Sequence, residues 1–201
     1  MGRRLRIPGV GLLAGVLASG CVPMRPADVA SGPPARSPSD APPRDDVVPE
    51  GWLGGTREVV IDAPVDVVMG IVSDPEAYRH LLVRVRSLSV LGTAEDGSTL
   101  VAVEQGTDLA HGSYVARFQP IDGGVRFELD PSFPHDIAAA RAWIRLRPAP
   151  GGGTVATFHV AFELGGPVRL LFGSRVERAA LSTPDRLRER AEAAARALGA
   201  M

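Results

Sequence analysis

Val65, Val68, Met69 and Val72 stand at i, i+3, i+4 and i+7, one apolar face of a short helix. A strand over residues 57–61 precedes it, and Asp62-Ala63-Pro64 supplies a helix start with proline at the first turn. Ser73-Asp74-Pro75 repeats that start and predicts a second short helix through residue 80. Beyond it the apolar period changes from 3.6 to 2. Residues 83–91, 99–105, 113–119, 125–130, 139–147 and 155–164 read as strands, with Asp96-Gly97, Asp122-Gly123-Gly124 and Pro150-Gly151-Gly152-Gly153 as turns. Sequential strands joined by short turns pair antiparallel.

The last two strands alternate most cleanly. Ala140, Ala142, Ile144 and Leu146 share a face opposite Arg141, Trp143, Arg145 and Arg147. Ala156, Phe158, Val160, Phe162 and Leu164 likewise oppose Val155, Thr157, His159, Ala161 and Glu163. A turn centred on Gly151 sets Trp143 against His159 on the outer face and Ile144 against Phe158 on the inner one. Residues 167–198 form a long helix with the stripe Val168, Phe172, Val176, Ala179, Thr183, Leu187, Ala191, Ala194 and Leu198. Pro184 deletes a backbone hydrogen bond inside it and predicts a kink at residues 181–183, with the stripe in phase across the bend.

This order predicts an α+β fold: a curved antiparallel sheet of about seven strands wrapped on a long C-terminal helix, with two short helices after the first strand. A strongly curved sheet needs the amphipathic helix across its hollow, and a cavity remains wherever side chains are too small to fill it. Residues 61–68, Ile-Asp-Ala-Pro-Val-Asp-Val-Val, and 73–78, Ser-Asp-Pro-Glu-Ala-Tyr, resemble the opening strand and helix pair of the START-like (SRPBCC) superfamily. That superfamily has the helix-grip fold and includes polyketide cyclases, coenzyme Q-binding proteins and the major birch-pollen allergen. The resemblance spans residues 56–198. It departs after the second helix, where Leu81-Leu82-Val83 replaces the proline and tryptophan common in the family.

The first residues carry an address. Arg3, Arg4 and Arg6 precede an apolar stretch over residues 7–18, too short to cross a bilayer of about 30 Å. Ala18, Ser19 and Gly20 then lead to Cys21, the only cysteine. Leu17-Ala18-Ser19-Gly20-Cys21 resembles a bacterial lipoprotein lipobox, with its leucine one position early. That resemblance implies a signal peptide over residues 1–20 and acyl chains on Cys21, a membrane anchor of the permanent kind. By the same resemblance, Val22 in place of aspartate favours the outer membrane, facing the periplasm. Residues 22–50 hold eight prolines and no aromatic residue, a spacer composition, so residues 21–51 read as a tether and 52–201 as the domain.

Composition narrows the chemistry. Removing residues 1–20 leaves 19 arginines against 23 acidic residues, a net charge of −4, so anionic headgroups offer no general attraction and nucleic acid is not an expected partner. One cysteine excludes a disulfide framework and a cysteine-clustered zinc site. No His-Glu-x-x-His, Gly-x-Ser-x-Gly or phosphate-cradling loop is present, and His80, His111, His135 and His159 are not spaced as metal ligands. Neither a catalytic residue, a metal nor a cofactor is assigned. Asp130 falls in register with Glu128 and Arg126 and reads as part of a solvated face. Tyr114 shares parity with Ala116 and Phe118, which aims its hydroxyl inward, as a donor to a ligand or toward a local partner.

Tyr114, Phe118, Phe127, Ile144, Phe158, Val160 and Phe162 line the inferred inner wall, with Phe172 and Val176 opposite on the long helix. The same pattern also suits a filled core; Ala116, Ala140, Ala142 and Ala156 favour a void. The favoured reading is a tethered binding module for a hydrophobic small molecule or lipid in the cell envelope. A polyketide cyclase/aromatase-like enzyme and a filled, non-catalytic envelope scaffold are the alternatives.

Overall fold

The computed structural model describes residues 46–106 and 111–199; Cys21, the signal-like segment and most of the proline-rich tether lie outside them, as does the side chain of Val168. Seven strands form one sheet: β1 (Leu53–Ile61), β2 (Val85–Thr93), β3 (Thr99–Gly106), β4 (His111–Ile121), β5 (Gly124–Leu129), β6 (Ala139–Pro148) and β7 (Thr154–Glu163). Their spatial order is β1-β7-β6-β5-β4-β3-β2, and every pair is antiparallel. Helices α1 (Val65–Val72) and α2 (Tyr78–Leu81) follow β1, and α3 (Gly166–Ala180) and α4 (Thr183–Gly199) follow β7.

The registers follow the alternation. Trp143 opposes His159 and Ile144 opposes Phe158, as side-chain parity requires. Asp74 caps the 3-10 turn Pro75–Ala77 by accepting from the Glu76 backbone N–H at 2.9 Å. β2 starts two residues later than expected because Arg84 takes a left-handed conformation, φ 55°. Its pairing with β3 is irregular twice more, between Val85 and Ser87 and between Val90 and Gly92.

Trp143 is 6% exposed because the Arg145 guanidinium lies 4.8 Å above its ring and His159 stacks beneath it at 5.5 Å. Thr56 Oγ1 lies 2.9 Å from His159 Nδ1. Contacts of the domain begin upstream of residue 52: Arg141 donates to the Val47 carbonyl at 2.7 Å and its guanidinium lies 5.7 Å from the Trp52 ring.

The carboxy-terminal helix breaks at Leu181-Ser182, one turn from Pro184, as the missing proline N–H requires. Leu187 and Ala191 of α4 are buried in the core with Val68, Val72 and Leu81, and Thr183 at its start is buried too. α3 seats differently from the expected stripe. It rests on the start of β1 through Arg169, Gly173 and Glu177: Arg169 donates to the Gly51 carbonyl, Gly173 lies against Leu53, and Glu177 Oε1 accepts the Gly54 N–H at 2.9 Å. Gly54, at φ +135°, is required by the neighbouring strand β7, because a Cβ there would lie 2.0 Å from the Val160 carbonyl oxygen. Phe172 and Val176, expected opposite the inner wall as cavity lining, are each 37% exposed and outside the buried cluster.

Candidate functional site

Directly opposed residues of an antiparallel pair share a face, so the ladders define the concave wall. Phe158 stands beside Ile144, Val160 beside Ala142, Phe127 beside both Ala142 and Phe118, and Tyr114 beside Val103. The wall divides into two ends.

At the α1 end it is filled. Ile144 and Val125 are 1% exposed, and Phe118 and Phe158 are buried against Val68, Val72, Leu81 and Leu187. Tyr78 of α2 completes an edge-to-face trio with Phe118 and Phe127, with ring centroids 5.8, 4.7 and 5.0 Å apart. Its hydroxyl donates to the Val72 carbonyl at 2.9 Å, and burial, with the Asp74 charge second, pushes its pKa well above the ordinary phenol range. Sequence reading left Tyr78 out of the core; its place between Ala77 and Leu81 on a short apolar helix face was the available signal.

At the other end, where β7 runs toward α3, the wall stays partly open. Tyr114, Phe127, Ala140, Ala142 and Val160 are half-buried there, while Phe162 is 6% exposed. Three of those positions are alanine or valine, too short to reach across, and α3 stands to the side on β1. Among the described residues, solvent thus reaches this end of the concave face and leaves a shallow apolar hollow there. It brings together Tyr114, Phe127, Val160 and Phe162 from the expected lining; Phe118, Ile144 and Phe158 belong to the packed end.

Among the described residues, a polar pair stands beside this hollow. Gln105 shares parity with Val101 and Val103, so it points inward beside Tyr114. Tyr114 donates its hydroxyl proton to Gln105 Oε1 at 2.7 Å, and Gln105 Nε2 donates to the Val83 carbonyl at 3.0 Å. Burial raises the Tyr114 pKa, so the hydroxyl stays protonated. Of the two roles expected for this hydroxyl, donor to a ligand or toward a local partner, its proton takes the second. Gln105 was missed, although its strand parity marked it.

The charged groups nearby make other contacts. Asp130 is 2% exposed rather than solvated: its Oδ1 accepts from the Ser132 hydroxyl and N–H at 2.6 and 3.0 Å, and its Oδ2 from Arg117 Nε at 3.0 Å. The Ser132 hydrogen bonds first, then the Arg117 charge, hold its carboxyl below the usual carboxylate range. Arg117 also donates to Asp96 at 2.7 Å, which ties the β2–β3 turn to the β5 end. His111 Nε2 lies 4.0 Å from Glu104, and His80 is exposed beside Arg186, Glu189 and Arg190.

A curved seven-stranded antiparallel sheet, two short helices after its first strand and a bent carboxy-terminal helix define a helix-grip protein. The chain belongs to the family described as "Polyketide cyclase / dehydrase and lipid transport", whose model matches residues 55–192. Among solved structures it is similar to a protein from Thermus thermophilus at 23% identity, TM-score 0.58, over 71% of this chain and 98% of that one. A START superfamily protein from Mycobacterium smegmatis is similar at 19% identity, TM-score 0.56, over 73% and 99%. The Zhui aromatase/cyclase from Streptomyces sp. R1128 is similar at 13% identity, TM-score 0.59, over 70% and 94%. At these identities the likeness is one of fold. A search of curated proteins finds no match.

Proposed function

We propose that this protein is a binding module that holds a hydrophobic small molecule or lipid, tethered through Cys21 to the bacterial outer membrane and facing the periplasm. The observation that carries the reading is the half-buried apolar wall of Phe127, Ala140, Ala142 and Val160 at one end of an otherwise packed sheet. Burying such a wall against a ligand contributes about 25 cal/mol per Å² with few directional contacts. The family's lipid-transport description and the lipobox-like Leu17-Ala18-Ser19-Gly20-Cys21 support the same reading.

Two measurements test it separately. Native mass spectrometry of the protein purified from bacteria is expected to show a hydrophobic adduct; an unliganded mass that also fails to take up an added fatty acid or quinone removes the binding reading. Cys21→Ser is expected to move the protein from the membrane fraction to the soluble one; unchanged partitioning removes the tether. An aromatase/cyclase-like enzyme is the second reading, and the Tyr114–Gln105 pair inside the hollow is what favours it. Ring closure of a supplied poly-β-ketone, lost in Tyr114→Phe, would select it over simple binding.

A further inference from the structure

We infer that the Tyr114 oxygen meets the ligand as a hydrogen-bond acceptor, so the hollow selects apolar molecules that carry a hydroxyl over those that carry a ketone at that position. This rests on the hollow being the ligand site. The argument is one of hydrogen accounting. The Val83 carbonyl has no proton to give, so the Gln105 group facing it at 3.0 Å is the amide nitrogen. The Gln105 carbonyl oxygen therefore faces Tyr114, and the only proton available for that 2.7 Å contact is the phenolic one. Three groups on three segments thus fix one direction: Tyr114 gives to Gln105, which gives to Val83.

A phenolic oxygen whose proton is committed still has lone-pair capacity. A hydroxyl that reaches it completes a hydrogen bond. A ketone set there brings lone pair against lone pair and loses its hydrogen bonds to water without replacement. Among the described residues, the wall beside the pair is apolar: Phe127, Ala140, Ala142 and Val160. The pair also sits on opposed strands, since Gln105 faces Gly112 and Val103 faces Tyr114, so a shared backbone ladder holds it in place.

Matched probes test the direction. 9-Fluorenol and 9-fluorenone share a carbon skeleton and differ in this one group. Calorimetric titration of the full chain is expected to give a roughly three- to tenfold preference for the alcohol, the net value of one hydrogen bond. In Tyr114→Phe the ratio is expected to fall to about one. In Gln105→Leu the freed phenol becomes a donor, and the preference is expected to move toward the ketone. Equal affinities in the wild-type chain, or an alcohol preference that survives Tyr114→Phe, overturn the inference and leave the hollow as a site. A ketone preference also overturns it and assigns the contact to the second amide hydrogen of Gln105. Binding of neither probe overturns the hollow itself, and the inference with it.

Discussion

Arg57 lies side-on against Asp185, with its two terminal nitrogens 2.5 and 2.9 Å from the two carboxylate oxygens, and one of those nitrogens also reaches the Leu181 carbonyl at 3.0 Å. One side chain of β1 therefore holds both sides of the break between α3 and α4. The free carbonyl at the end of α3 gains a cationic partner, and the first turn of α4 keeps its acidic residue.

Arg57→Met is expected to lower stability by about 0.5–1 kcal/mol, a Tm decrease of about 1–4 °C. The figure is small because the arginine is 43% exposed and water screens the pair. A thermal melt checks it, and a loss well beyond that range would show the break to be held by this pair alone.

Asp130→Asn replaces an acceptor with an amide nitrogen facing Arg117 Nε or Ser132. The expected loss is about 1–3 kcal/mol, measured by urea denaturation. Arg117 keeps Asp96, so the variant is expected to fold. Unchanged stability would mean that Arg117 and Ser132 find equivalent partners.

Acid should weaken the convex side. Asp96 is held down to about 2, chiefly by the Ser98 hydroxyl and N–H, and Asp130 and Asp136 are lowered chiefly by Ser132 and Ser113. Each group is a stronger acid folded than unfolded, so its contribution is present above the unfolded value near 4 and is lost as pH falls toward the folded one. Denaturation midpoints should therefore decline between about pH 4 and pH 2; a flat profile there would contradict the assigned hydrogen bonds.

Leu187→Ala and Leu170→Ala make a contrasting pair. Leu187 is 1% exposed in the core, so its truncation is expected to cost about 2–5 kcal/mol. Leu170 of α3 is 88% exposed, and its truncation is expected to stay within about 0.5 kcal/mol. Similar losses for both would show α3 to be packed more deeply than its contacts indicate.

Phe158→Asp places a carboxylate beside Ile144 at a position 6% exposed. Collapse of the cooperative melt is the expected outcome. Wild-type stability after that change would show that Phe158 does not face inward.

Alternation made much of the sheet legible. Inward positions of β6 and β7 recur at every second residue, and that parity with a turn centred on Gly151 sets the Trp143–His159 and Ile144–Phe158 registers. The same clarity placed Val68 and Val72 in the core. α3 was harder because an apolar stripe states which side of a helix avoids water, not which side touches a strand. Here contact is made by a glycine, by the Arg169 side chain donating to a backbone carbonyl and by the Glu177 carboxylate accepting a backbone N–H, which leave no hydrophobic signature. Asp130 escaped for a related reason: a serine two residues on and an arginine on the next strand can desolvate a carboxylate that parity assigns to the surface. The hollow itself was undecidable, since a filled and an unfilled cup share one pattern, and only the exposure of Ala140, Ala142 and Val160 separates them.

The uneven start and finish of β2 bear on how these molecules behave when crowded. A terminal strand offers its unpaired amides and carbonyls as a template for any neighbouring chain. Extra residues near Val85 and Val90 twist that template out of even spacing, so an approaching strand meets matching groups over only a short run. Copies that approach along β2 thus gain no continuous cross-chain ribbon at that edge of the cup.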